Sequence, residues 1–440
     1  MSIRLVKGQV CLNKDCNNST IEFDFGNGLE LERLNFILGR NGSGKTLLAT
    51  LLNPAITALI PTSKIGCFTK KVYLLLSILG YSYLKWPLPF RTCAHVEINS
   101  NELCVYGVID VNIGCLHDFP SLHNFSITDE SLQPAGYAGD KPYFSLENRA
   151  FDYFIGSKGS RGCLKCEDLS SLFIEALSYV KQCNDYILTN CSTNTSVNSD
   201  LVMLYYSPHL ALVRAPLNLL PFYVANLASL NGIGTFNNND EFVINLNNVR
   251  DQDLREMFKV LAKVFGIRNL ASFSIRFKAS NADVKVSYKL QCTNNQEFEF
   301  EPWQIGDGQR AFIQLFLTAL AAKTAERQGL KSIFILDSPE AFMHPDLLEA
   351  VGELLALLET KHTIMVITQS SEALEEIITH SSHLENINIT MLLRRGNNVE
   401  VKTLTSRSDR GSDERKIQEV IALLISGVDL RKSYVWRMFE

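Results

Sequence analysis

Residues Gly39, Arg40, Asn41, Gly42, Ser43, Gly44, Lys45 and Thr46 keep the spacing G-x-x-x-x-G-K-[ST], which suits the grip of a polyphosphate. Glycines let such a loop curl until its backbone N–H groups point inward, and the positive end of a following helix adds attraction for an anion. In this reading Lys45 contacts the β and γ phosphates of ATP, and the Thr46 hydroxyl ligates Mg2+. The flanks agree: "LNFILG" suits a buried strand before the loop, and "GKTLLATLLNPAITALI" has the length and periodicity of a helix after it.

A second acid-bearing stretch, "IFILDSPEAFMHP", supplies a partner. A buried parallel strand ending at Asp337 brings its carboxylate out at the C-terminal edge of a sheet, where ligands of open α/β folds sit. Asp337 can then hold magnesium through water opposite Thr46, and it can also cap a helix starting in "SPEAF". Three places on, Glu340 has two readings. It folds back toward the γ-phosphate as a general base, or it sits in the first turn of the next helix and favours its dipole.

A third element, "QIGDGQRAFIQLF", completes a set that resembles the ABC-type ATPase superfamily, within it the heads of SMC and RecF proteins and the overcoming-lysogenization-defect group. The resemblance implies that Ile305, Gly306, Asp307, Gly308 and Gln309 match the signature of those heads. There the signature of one protomer covers the γ-phosphate held by the other, so ATP joins two copies. "DSPEAFMHP" is similar to the acidic block of the group and "VITQSSEAL" to its switch segment. Ser338 stands where the family has a water-activating glutamate, and Gln369 stands where it has a histidine. A missing general base slows turnover, so slow or partner-dependent hydrolysis is expected, with Lys45, Glu340 and Gln369 as the catalytic set.

The order of elements fits. Strands alternate with helices over 246–440, as a parallel sheet covered on both faces requires, and alternating strands open the chain. The expected fold is α/β, an ABC-type P-loop head with mixed and parallel sheets. It divides into an N-terminal lobe (1–115), an irregular helical insertion (116–245) and a C-terminal lobe (246–440). The insertion contains "CLKC", whose Cys163 and Cys166 have zinc-ligand spacing; one pair gives half a tetrahedral shell and its flanks are not heptad coiled coils, so zinc is the weaker reading. The last segment expected to be helical runs from Glu414 to Ser426.

In a 440-residue chain, the formal charge of -5 argues against coating nucleic acid by charge alone, and leaves local basic clusters at 69–71, 393–396 and 405–416 as DNA-contact candidates. The start shows no apolar signal segment, and no apolar stretch is long and unbroken enough for a membrane helix. Eleven cysteines, an odd number, suit a reducing compartment. A cytoplasmic protein without a membrane partner is expected. The residues after "ITQSS" lack a Glu plus Asp-x-Asp metal constellation. By analogy with two-component phage-defence ATPases, the partners expected are a second copy through the ATP sandwich and a separately encoded effector. The alternative is a RecF- or SMC-like DNA-repair or DNA-maintenance ATPase that clamps DNA directly.

Overall fold

The apolar runs beside the glycine-rich loop are buried strands. The structure, a computed structural model, describes residues 2–11, 20–52, 55–58, 60–66, 69–70, 72–73, 76–77, 90–98, 101–109, 137–138, 141–142, 199–209, 214–237, 241–280, 283–359, 361–381 and 387–405. In chain order these give β1 (Ile3–Cys11), β2 (Thr20–Glu30), β3 (Leu34–Gly39), α1 (Lys45–Leu51), β4 (Phe90–Ile98) and β5 (Asn101–Ile109). Next come β6 (Leu201–Tyr206), α2 (Arg214–Leu230), β7 (Thr235–Asn237), β8 (Glu241–Asn245), α3 (Gln252–Val264), β9 (Leu270–Ser280), β10 (Asp283–Cys292) and β11 (Glu297–Phe300). The remainder is α4 (Asp307–Arg327), β12 (Lys331–Asp337), α5 (Pro345–Glu359), β13 (Thr363–Ile367), α6 (Ser371–His380), β14 (Ile387–Arg395) and β15 (Asn398–Thr405).

A ten-stranded sheet runs β5-β4-β1-β2-β15-β14-β3-β13-β12-β6, and a five-stranded sheet runs β11-β10-β9-β8-β7. Within the large sheet β6, β12, β13, β3 and β14 are mutually parallel, while β1, β2, β4 and β5 pair antiparallel. The α/β expectation of mixed and parallel sheets holds. Because helices cover both faces of the parallel half, its strands are apolar throughout rather than alternating; β6 is buried at every residue. Asn35, buried in β3, ties that half together. Its side-chain amide donates to the carbonyls of Glu32 (2.8 Å) and Ile364 (3.1 Å), and its Oδ1 accepts from Glu32 N and from the Asn388 side chain.

Helix α4 is buried continuously from Ala311 to Ala325, and it packs against α2, α3, α5, β6 and β12. A helix buried on all sides is an inner layer. Phe316 on α4 meets Phe258 of α3 edge-on (5.1 Å between centroids) and Phe273 of β9 (5.9 Å), fixing the small sheet against the helix whose first turn carries the 305–309 segment.

Two expectations change. The helix after the loop ends at Leu51 and is helical again at Ala55–Ala58, because Pro54 has no amide hydrogen to continue the ladder. Within the 116–245 stretch, β6 is a strand of the large sheet beside β12, and β7 and β8 belong to the small sheet. Polar, Asn-rich linkers around these strands hid their place. "SPEAF" is not helical. Residues 338–344 form tight turns and α5 starts only at Pro345, since a residue preceding proline, as Ser338 and His344 do, is driven out of the right-handed helical region. Cys163, Cys166 and the 414–426 helix lie outside the described residues, as does most of the 116–245 stretch.

Candidate functional site

β3 delivers the chain into the loop and α1 takes it out. Gly44, the residue before α1, has φ +98°, a left-handed conformation that L side chains rarely adopt. A Cβ on Gly39 would sit 2.3 Å from Ser43 Oγ and 3.3 Å from the Leu392 carbonyl, so glycine there lets Ser43 and β14 approach closely. Lys45 is 8% exposed, and its ammonium donates to the carbonyls of Gly39 (2.7 Å) and Arg40 (3.1 Å), which hold it under the loop. Burial lowers its pKa, opposed by the nearby charges of Asp337 and Glu340. Arg40, Asn41 and Gly42 are exposed, and Ser43 is buried.

Asp337 ends β12 beside the loop, as expected. Its Oδ2 accepts from Thr46 Oγ1 at 2.9 Å and from Tyr205 Oη at 2.7 Å, and the Ser338 hydroxyl lies 3.3 Å from Oδ1. Tyr205 escaped the sequence reading because a tyrosine in an apolar run reads as core. Thr46 and Asp337 form a hard oxygen donor set, and with the inward-held ammonium of Lys45 it suits magnesium and a polyphosphate.

Glu340 is not on a helix. The turn that carries it holds two non-glycine residues in the left-handed region, Ser338 (φ +55°) and Phe342 (φ +68°), a strained pairing of the kind that gathers at functional sites. The turn brings the Glu340 carboxylate to the switch segment, where Oε1 accepts from the backbone N–H of Gln369 at 3.4 Å. Burial raises its pKa, while hydrogen bonds from its own backbone, Thr368 and Gln369 pull the other way and the charge of Asp337 adds to the rise. Glu340 Oε2 is buried without a hydrogen-bond partner. The reading of Glu340 as a helix-dipole residue is therefore overturned. Gln369, exposed at the end of β13, meets Glu340 through its backbone.

Gly306 caps α4, whose first turn contains Asp307, Gly308 and Gln309. No atom lies within 4 Å of a Cβ built on Gly306, whereas one on Gly308 would come within 2.8 Å of the Phe342 carbonyl and 2.7 Å of Leu347 Cδ1. The 305–309 segment thus rests against the turn that carries Glu340. Gln309 donates to Val264 O (3.3 Å), and Arg310 reaches the Pro302 carbonyl (2.9 Å). Gly308→Ala is expected to cost about 1–3 kcal/mol by overpacking, read as a lower urea midpoint, because the near contact is backbone and cannot rotate away; an unchanged midpoint would contradict the packing.

Of the basic clusters, Thr69 and Lys70 are buried, and burial lowers Lys70 to about 8, so this pair is no surface patch. Arg394 and Arg395 lie beside the loop. With Arg40 they line a cavity of about 580 Å³, and Arg394 donates to Gly42 O at 3.1 Å. Residues 406–416 lie outside the described chain. Among the described residues, Glu349, Glu353 and His380 cluster closely enough for a metal, but the Lys263 ammonium already bridges both carboxylates at 3.0 and 2.8 Å. His344 precedes α5, with Nδ1 3.4 Å from Asp346 N, and the His209 ring meets Phe342 edge-on.

Fold and cradle together make a mixed α/β fold with a glycine-rich P-loop cradle at the end of β3. Residues 218–375, which include the 305–309 segment and Asp337 but not the loop at 39–46, match the family described as "AAA domain, putative AbiEii toxin, Type IV TA system". Among solved structures the chain is similar to an SMC head bound to the C-winged helix domain of ScpA, at 9% identity over 91% of this chain and 97% of that one, TM-score 0.39. It is similar also to the SMC head domain from Thermotoga maritima (11% identity, 90% and 98% covered, TM-score 0.30). A third is the Smc head domain with an extended coiled coil bound to the C-terminal domain of ScpA derived from Pyrococcus furiosus (12%, 96% and 100%, TM-score 0.35). No curated protein matches the chain. Among the described residues no helix is long and apolar enough to cross a membrane.

Proposed function

We propose that the chain binds ATP with Mg2+ in the 39–46 loop, hydrolyses it slowly with Glu340 as general base, and uses bound nucleotide to join a second copy through residues 305–309. The observation that carries the catalytic part is the Glu340 carboxylate, anchored by Gln369 N–H on one oxygen and unpartnered on the other. Thr46 and Asp337 would hold magnesium, which when bound offsets phosphate charge. Lys45 and the loop N–H groups bind and orient the phosphates, and Glu340 Oε2 accepts the proton of the attacking water. Gln369 anchors the carboxylate through its backbone N–H, and Gly306 and Asp307, exposed at the start of α4, would meet a second copy. The state change would pass to a separately encoded effector in antiviral defence, a reading supported by the toxin–antitoxin description of the matched family.

Assembly is tested by sedimentation velocity with and without Mg·ATP. Wild type is expected to gain mass with nucleotide, and Lys45→Ala to keep its nucleotide-free size; a wild type of constant mass would remove the ATP-joined pair. A second reading, direct DNA clamping, is favoured by the Arg40, Arg394 and Arg395 cavity. It requires DNA-stimulated hydrolysis that falls steeply with salt.

A further inference from the structure

The mutual register of β6 and β12 places one residue the cradle needs where no motif would look for it. Tyr205 pairs with Ile335 across the parallel ladder, and Tyr206 pairs with Leu336. Side chains alternate along a strand, so Tyr205, Ile335 and Asp337 share one face while Tyr206 and Leu336 share the other. The two tyrosines accordingly part company. Tyr206 donates to the Ala311 carbonyl of α4 at 2.9 Å, and Tyr205, 2% exposed, donates to Asp337 Oδ2 at 2.7 Å.

We propose that Tyr205 is a positioning residue that orients Asp337 for magnesium, a role that rests on the reading of Asp337 as the metal carboxylate. Asp337 Oδ2 has two hydroxyl donors, Tyr205 and Thr46. They are not equivalent. Thr46 opens α1 at the end of the loop and is itself a metal-ligand type, so its bond to Asp337 competes with metal binding. Tyr205 comes from a buried strand and a phenol is no usual magnesium ligand, so its bond is free to persist with the metal in place. A carboxylate that ligates a metal is in turn held by outer hydrogen bonds, and loss of such a partner costs about 10- to 100-fold in metal affinity. Ser338 adds a longer contact of 3.3 Å on Oδ1. The hydroxyl that occupies the family's glutamate position therefore touches the metal carboxylate rather than replacing the base.

The test is fluorescence binding of an ATP analogue to the full chain, titrated with magnesium and repeated in EDTA, for wild type, Tyr205→Phe, Asp337→Asn and the double variant. Tyr205→Phe keeps the ring and its packing. It is expected to raise the magnesium concentration for half-maximal binding about 10- to 100-fold and to leave binding in EDTA unchanged, with no further rise when added to Asp337→Asn. A magnesium requirement equal to wild type would overturn the role, and so would an equal loss with and without the metal, which marks general damage to the cradle. Absence of magnesium-dependent binding in wild type itself would instead overturn the proposed function, and a melting curve for each variant separates misfolding from both.

Discussion

Glu340→Gln is expected to slow steady-state ATP hydrolysis about 10²- to 10⁴-fold, the usual worth of a positioned general base, while magnesium-dependent ATP binding persists. The amide has the shape of the carboxylate and can keep the contact with the Gln369 N–H, but it cannot take a proton on the atom that corresponds to the buried, unpartnered Oε2. The same substitution carries a pH signature. Burial raises the Glu340 pKa and only the ionised form acts as base, so wild-type turnover should climb with pH through a pKa above the ordinary glutamate value of about 4.3. That limb should vanish in Glu340→Gln. For stability the sign is opposite: a raised folded-state pKa contributes stability below the unfolded pKa, lost as pH rises through the folded one. The variant should therefore lose no thermal stability at neutral pH. Equal turnover in variant and wild type would remove Glu340 from the mechanism.

A loss of stability is expected away from the cradle, at Glu326→Ala, where urea unfolding should show a drop of about 1–3 kcal/mol, the usual result of removing one partner of a buried polar group. Lys323, 2% exposed within α4, reaches Asp253 Oδ2 and Glu326 Oε2, each at 2.9 Å. Glu326 also accepts from Lys361, and its Oε2 is 3.6 Å from His362 Nε2, while His362 Nδ1 bonds Ser332 of β12. Removing the carboxylate leaves the buried ammonium with Asp253 as its remaining charged partner and loosens the joint of α4, β12 and β13, the elements that aim the 305–309 segment, Asp337 and Gln369. Burial alone would raise the Glu326 pKa, but the neighbouring His362 and hydrogen bonds from Lys361 and Lys323 outweigh it and hold the carboxyl below the usual range. A depressed folded-state pKa gives stability above the unfolded value of about 4.3, lost as pH falls toward the folded one. The gap between wild type and variant should narrow in acid. A loss below about 1 kcal/mol, the worth of an exposed pair, would contradict this assignment.

The glycine-rich loop was legible because its geometry is local: positive φ at Gly42 and Gly44 needs glycine wherever the loop occurs. Asp337 was legible because a short apolar run ending in an acid can scarcely be anything but a buried strand with its charge at the rim. The partners of these residues depend on register between distant strands, and no spacing encodes that. Tyr205 stands 132 positions before Asp337, inside a stretch whose polar surroundings suggested an insertion, yet the ladder sets it opposite Ile335, two residues before the carboxylate and on the same face. The course of Glu340 was hidden for another reason. Whether "SPEAF" coils or turns is decided by Pro339 and by left-handed Ser338 and Phe342, and non-glycine residues in that region announce themselves in no motif. Directly after Asp337 the sequence offers only Ser338, and the turn brings a carboxylate to the switch segment from three residues beyond Asp337.

Isothermal titration of Mg·ATP into wild type and Lys45→Ala tests the cradle most directly. Wild type should bind, and the variant should bind roughly 10- to 150-fold more weakly, as loss of a hydrogen bond to a charged group of about 1.5–3 kcal/mol requires. Equal affinity in the two proteins, or no heat of binding in wild type, would contradict a nucleotide seated over Lys45.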